Sequence, residues 1–185
     1  TSADENATFN GMAANGAGVV FSASNAAKFG NSGAAVFTDS QTTFSDLLWW
    51  DASTGEQQLI THSSDFGNKS SAATTSAGFG GIAPNGAGVV FSSPDAKQFG
   101  QGGFAFSDTL VTSADLFWWD KATGNQSLIT HNKTGGNNTS ALVNGAVFVG
   151  IAKDSSGVVF NNTNVSSFGN SGVGFTDEIG RASCR

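Results

Sequence analysis

Gly81-Ile82-Ala83-Pro84-Asn85-Gly86-Ala87-Gly88-Val89-Val90-Phe91-Ser92 decides how this chain is read. The run stands earlier as Gly11-Met12-Ala13-Ala14-Asn15-Gly16-Ala17-Gly18-Val19-Val20-Phe21-Ser22. It returns more loosely from Gly150-Ile151-Ala152 to Val158-Val159-Phe160. The offsets are 70 and 69 residues. A fixed period of this length marks a repeat architecture, in which each copy is a supersecondary unit that buries its apolar faces on its neighbours.

Working outward, Asn15-Gly16 and Asn85-Gly86 read as hairpin turns, because the central positions of such turns take positive φ. The third copy's Asp154-Ser155-Ser156-Gly157 predicts a longer turn. Gly-Val-Val-Phe-Ser after the turn reads as a short strand buried on both faces. A polar connection follows with a fixed Phe-Gly, at Phe29, Phe99 and Phe168, each Phe expected to plug its loop onto the sheet. A second short apolar element ends at Asp39, Asp108 and Asp177.

The strongest strand is Asp46-Leu47-Leu48-Trp49-Trp50-Asp51, repeated as Asp115-Leu116-Phe117-Trp118-Trp119-Asp120. A Thr-Gly turn joins each to Gln57-Gln58-Leu59-Ile60-Thr61-His62 or Gln126-Ser127-Leu128-Ile129-Thr130-His131. Residues 63–77 and 132–144 read as Asn/Ser/Thr/Gly loops with few apolar anchors, Phe66, Ala141 and Leu142 among them. Each repeat thus offers about four antiparallel strands, and the class is all-β.

Composition narrows the function. The net charge is −6 and no Lys/Arg cluster exists, which argues against nucleic acid, whose phosphates need clustered cations. No apolar run approaches the roughly 20 residues of a membrane-spanning helix. Thr1 is not expected to be a natural start, since neither an initiator Met nor a signal peptide precedes the repeats. Glu178 to Arg185 hold the only two Arg and the only Cys. These residues match the translation of GAG ATC GGA AGA GCG TCG TGT AGG, which resembles a sequencing adapter, so 178–185 are expected to be a non-native tail. Without the tail the chain has 6 Lys, no Arg, 13 acids and no Cys. Disulfides then play no part, and Cys184 is not read as redox or metal chemistry. An acidic, Asn/Thr/Ser-rich, Cys-free chain fits an exported bacterial protein.

Ala83-Pro84-Asn85-Gly86 with Val89-Val90-Phe91-Ser92, then Asp115 to Asp120, Thr123-Gly124 and Leu128-Ile129-Thr130, resembles the TolB-type, WD-repeat-like propeller repeat of bacteria. Asp46 to Thr61 resembles it equally, and residues 150–177 only in the opening half. Asn stands for the family's Asp in the turn, and Trp-Trp for its aliphatic and aromatic pair. The resemblance implies a partial β-propeller of four-stranded antiparallel blades. Its pieces are 1–7 (end of a preceding repeat), 8–77, 78–147 and a partial third at 148–177. An open, solenoid-like stack is the alternative architecture.

Adjacent residues of a strand point to opposite faces, so Trp49 and Trp50, like Trp118 and Trp119, are expected on opposite sides of a sheet. Their plain reading is core; their functional reading is an aromatic platform for sugar. His62 and His131 occupy one repeat position, which argues for strand-end hydrogen bonding, since a catalytic group is normally unique. Asp46, Asp115, Asp51 and Asp120 bracket the Trp strand, where acids accept turn N–H groups. Phe21, Phe91 and Phe160 are repeat core positions. Asp/Asn/Ser loops could supply oxygens to Ca²⁺, but no calcium-loop spacing is present, so no metal or other cofactor is assigned. No Ser-His-Asp set assembles, and Gly100-Gln101-Gly102-Gly103 is no phosphate loop. The sequence therefore points to a non-catalytic scaffold or binding module, partnered by neighbouring blades and by a protein or carbohydrate ligand at loop tips. The alternative is the propeller portion of a larger enzyme, a hydrolase or lyase, whose catalytic residues lie elsewhere.

Overall fold

The structure is a computed structural model, described for residues 6–31, 36–65, 67–71, 75–108, 113–139, 145–170 and 173–174. Phe66, Ala141, Leu142, Asp177 and the 178–185 tail lie outside the described residues. So do residues 1–5 of the expected preceding repeat.

The chain is all-β with antiparallel sheets. β1 (Thr8–Met12), β2 (Gly18–Ala23), β3 (Asp46–Asp51) and β4 (Gln57–Leu59) form one four-stranded meander. β5 (Gly78–Ile82) and β6 (Gly88–Ser93) begin the second unit. A small hairpin follows, β7 (Gly100–Gln101) with β8 (Phe104–Ala105). β9 (Asp115–Asp120) and β10 (Gln126–Leu128) then complete a sheet ordered β5-β6-β9-β10. β11 (His131–Asn132) pairs with β12 (Gly135–Thr139). The third unit is the hairpin of β13 (Val147–Ile151) and β14 (Val158–Asn161), followed by β15 (Gly169–Asn170) and β16 (Val173–Gly174). No closed barrel or ring forms among the described residues.

Two local details differ from the sequence reading. The Asn-Gly segments are not tight two-residue turns. Ala13 N–H donates to Gly18 O and Gly16 N–H to Ala13 O, so only Gly16 (φ 73°) must take the left-handed region. Asn15 contributes its Oδ1 instead, which accepts from Ala17 N–H. The third turn is also no longer than the others: Ala152 and Ser155 repeat both bonds, and Ser155 (φ 62°) sits where the other copies have glycine. Further on, the polar stretch read as loop forms the β11–β12 hairpin, held to its neighbour by Ser107 N–H to Asn137 O and Thr139 N–H to Ser107 O.

The core lies between units, and strand alternation puts it there. In the first sheet, Phe9, Met12, Val19, Phe21, Leu48 and Trp50 share one face, called here the leading face, by cross-strand register. Gly11, Val20, Leu47 and Trp49 share the other, the trailing face. The trailing face of the first sheet, with Val20, Leu47, Trp49 and Ile60, packs on the leading face of the second, with Val89, Phe91, Phe117, Trp119 and Leu128. Leu116 and Ile129 of the second sheet pack likewise on Phe148, Phe160 and Phe168 of the third unit. A fully buried side chain of this size is worth about 1.5–3 kcal/mol, so these seams dominate the stability.

The same bulge interrupts β1, β5 and β13, between Phe9 and Gly11, Phe79 and Gly81, and Phe148 and Gly150. It aims each glycine at the next unit. A methyl group on Gly11 would stand 3.1 Å from Phe79 Cζ, and one on Gly81 would stand 3.3 Å from Phe148 Cζ. Phe79 and Phe148 are therefore each a knob over the glycine of the preceding unit.

Candidate functional site

Polar positions that recur every unit hold the sheets together. Asp46 is buried at the start of β3, where its Oδ1 accepts from Thr61 Oγ1 at 2.7 Å. That hydroxyl also accepts from Leu47 N–H. Asp115, Thr130 and Leu116 repeat the arrangement, again at 2.7 Å. Burial pushes both carboxyls up to about 7, against the pull of the Thr hydroxyls; the nearby charges of Asp39 and Asp108 push the same way. Asp39 and Asp108 each hold a connecting turn, accepting from Ala26 N–H at 2.8 Å and Ala96 N–H at 3.2 Å.

Asp51 and Asp120 close the turn after the Trp strand. Asp51 Oδ1 accepts from Ser53 N–H and Thr54 N–H, and Asp120 Oδ1 from Thr123 N–H. The Lys121 ammonium, 2.5 Å from Asp51 Oδ2, holds the Asp51 carboxyl well below the usual carboxylate range, with the Ser53 hydroxyl adding to it. The same ammonium lies 5.7 Å from the Trp49 ring centre, so one Lys bridges two units by charge and by cation–π contact.

The four Trp residues divide by seam. Trp49 and Trp119 are fully buried against one another, ring centres 6.2 Å apart. Their indole N–H groups have no partner among the described residues. Trp118 is partly buried, and Trp50 is 37% exposed, the most open of the four indoles. Phe29, Phe99 and Phe168 each pack 5.3 Å from Phe21, Phe91 and Phe160, so the three connections are anchored alike. His62 spans a seam: its Nε2 lies 2.7 Å from Gly124 O and its Nδ1 2.8 Å from Ser63 O. His131 repeats only the second contact, to Asn132 O at 3.0 Å.

The sequence reading missed Gln126. Wholly buried, it donates from Nε2 to Ile60 O at 2.7 Å and His62 O at 3.0 Å, and its Oε1 accepts from Gly100 N–H at 3.0 Å. Its counterpart Gln57 accepts from Gly30 N–H at 2.9 Å. A Gln that returns at one repeat position with no solvent role was the available signal, as was Thr at 61 and 130.

Asn132, Lys133, Asn138, Ser166 and Ser167, which do not recur, gather elsewhere with the recurring Ser107 and Thr139. A groove of about 270 Å³ runs between the β11–β12 hairpin and the third unit. Ser107, Asn132, Asn138 and Thr139 line one side, with Lys133 and Thr134 at the turn and Ser166 and Ser167 opposite. Backbone bridges from Ser107 to Asn138 and from Asn132 to Phe168 fix its walls. The turn is pre-set, since Asn132 Oδ1 accepts from both Thr134 N–H and Oγ1.

Among the described residues, no group of three or more His, Cys, Asp or Glu side chains converges as a metal site would require. Asp39 already accepts from Ala26 N–H, Gln41 N–H and the Ser70 hydroxyl. No helix of the described residues is long and apolar enough to cross a membrane. No family model, curated protein or solved structure matches the chain.

Proposed function

We propose that the chain is a run of β-propeller blades resembling the TolB-type repeat, and that it serves an exported bacterial protein as a non-catalytic binding scaffold. Two complete four-stranded meanders stacked face to face, with a third begun in the same register, support the blade reading. One observation carries the scaffold reading. Asp46, Asp115, Thr61, Thr130 and Gln126, the recurring polar groups, hold strands and seams, whereas Asn132, Asn138 and Ser166, which do not recur, line an open groove. The ligand class that fits is carbohydrate, bound by amide and hydroxyl groups of Asn132, Asn138 and Ser166. Trp50, the exposed member of the Trp set, is a second surface for a sugar ring to stack on.

Amide-resolved NMR titration with neutral oligosaccharides tests this. Shifts are expected at 107, 132–139 and 166–167, and Asn132→Ala with Asn138→Ala is expected to weaken binding about 10-fold. Saccharide shifts confined to other surfaces, or a peptide library that binds the groove where sugars do not, would remove the carbohydrate assignment.

A further inference from the structure

His62 stands at the seam between the first two units with only 6% of its surface exposed. Its Nε2 lies 2.7 Å from Gly124 O of the second unit, and its Nδ1 lies 2.8 Å from Ser63 O. Both partners are backbone carbonyl oxygens, which only accept. A neutral imidazole has one N–H. It can serve one carbonyl, and it must then turn a nitrogen lone pair on the other at hydrogen-bond distance. Only the imidazolium, with two N–H groups, satisfies both. In a site this dry, the unmade bond carries its full cost.

His131 holds the same repeat position without that constraint. Its Nδ1 lies 3.0 Å from Asn132 O, and no described residue meets its Nε2. A neutral ring protonated on Nδ1 satisfies that contact. The charged groups around His62 accommodate a cation. Its chain neighbour Thr61 donates to Asp46 Oδ1 at 2.7 Å, and Ser70, bridged to His62, donates to Asp39 Oδ1 at 3.0 Å. Beside Ser70, Lys69 faces Asp65 at 3.9 Å. Across the seam, Lys121 is paired with Asp51, and Asp120 closes the turn that carries Gly124. Both ammonium groups thus have a carboxylate beside them, and no described charged side chain hydrogen-bonds to the ring.

We infer that His62 is a proton-operated latch on the first seam: it holds the Ser63 and Gly124 carbonyls together only while both ring nitrogens carry a proton, and the seam loosens when one proton leaves. The unfolded chain offers the ring no such pair of acceptors, so the folded chain keeps the second proton more firmly. The latch therefore stabilises fully below the ordinary imidazole range, near about 6.5, and its contribution is lost as pH rises above that range. The inference rests on the two carbonyl contacts and stands apart from the carbohydrate assignment.

Nitrogen-15 NMR of the imidazole rings in the intact chain reads the proton directly. At about pH 7.5, His62 is expected to show two protonated nitrogens and His131 one, with the imidazolium fraction about 10-fold higher at His62. Amide exchange reads the seam. Gly103 N–H donates across it to Ser64 O at 2.9 Å. Its protection factor is expected to fall about 5-fold between about pH 7.5 and pH 9, above the range in which Asp46 and Asp115 titrate. His62→Gln, which keeps an amide donor and does not titrate, is expected to abolish that fall, and His131→Gln to leave it as in wild type. A His62 ring with one protonated nitrogen at about pH 7.5, a Gly103 protection factor that does not change, or an equal fall in His62→Gln would each overturn the inference. The wild-type ring spectrum decides the matter even where a variant does not fold.

Discussion

The leading faces of the first and second sheets are built from the same residues and meet opposite surroundings. In the second sheet, Val89, Trp119 and Gln126 sit in one cross-strand row and are fully buried against the first sheet. In the first sheet, Val19, Trp50 and Gln57 make the same row, with Met12 at its end, and Trp50 and Met12 face solvent. Only the outer half of that face is covered, where Phe29 and Phe37 fold over Phe21, Leu48 and Leu59. Burial here belongs to the pair of units, since a sheet has two apolar faces and cannot cover either alone.

The largest test of this contrast compares two Trp residues at one repeat position. Trp119→Ala is expected to cost about 4 kcal/mol in denaturant unfolding, and Trp50→Ala about 1 kcal/mol. Equal costs would break the comparison, for they would mean that the inter-unit seam adds nothing.

Titration should ignore the contrast, because Asp46 and Asp115 lie at corresponding inner positions of both sheets. Their folded-state value near 7 stands above the ordinary 3.8, so the folded chain holds more protons than the unfolded chain between about pH 4 and pH 7. Stability is therefore full below that window, falls as pH rises through it, and is level above it, by up to about 4 kcal/mol per site. Asp46→Asn and Asp115→Asn are each expected to remove half of the slope in urea midpoints measured against pH. A slope carried by one site alone would show that the units are not electrostatically equivalent.

Close packing sets the next effect. Gly88 lies where a methyl group would collide with the Trp118 ring and the Trp119 carbonyl oxygen, and Gly18 lies likewise against Trp49 and Trp50. Gly88→Ala is expected to cost about 3 kcal/mol by overpacking, read as a lowered thermal midpoint. Gly18→Ala should match it, since this clash is internal to each sheet.

Gln126→Leu is expected to cost about 2 kcal/mol, because it strands Gly100 N–H and two seam carbonyls in a dry interior. Gln57→Leu should cost about 1 kcal/mol, since it removes only the acceptor of the part-buried Gly30 N–H, and its amide N–H groups meet no described acceptor. Chemical denaturation of the two variants measures the difference, which sharpens the contrast on its polar side.

The groove was only partly legible. Its Asn, Ser and Thr content marked residues 132–144 as polar, but polarity alone predicts loop, and backbone bonds with Asn137 and Ser107 made a hairpin of it. Gln126 was missed because its recurrence with Gln57 does not tell a buried amide from a solvated one until a neighbouring unit presents Ile60 O and His62 O to it.

What the sequence determined by itself is the repeat unit: the 70- and 69-residue spacing, the strands rich in Val, Phe and Trp, and the opposite directions of adjacent Trp side chains. These follow from chain-local rules, the two-residue period of a strand and the recurrence of its residues. Tertiary structure alone decided which Trp is dry and which Gln donates to a neighbouring unit. Those outcomes depend on whether a second surface lies against the first, and identical residues at identical repeat positions hold no information about that.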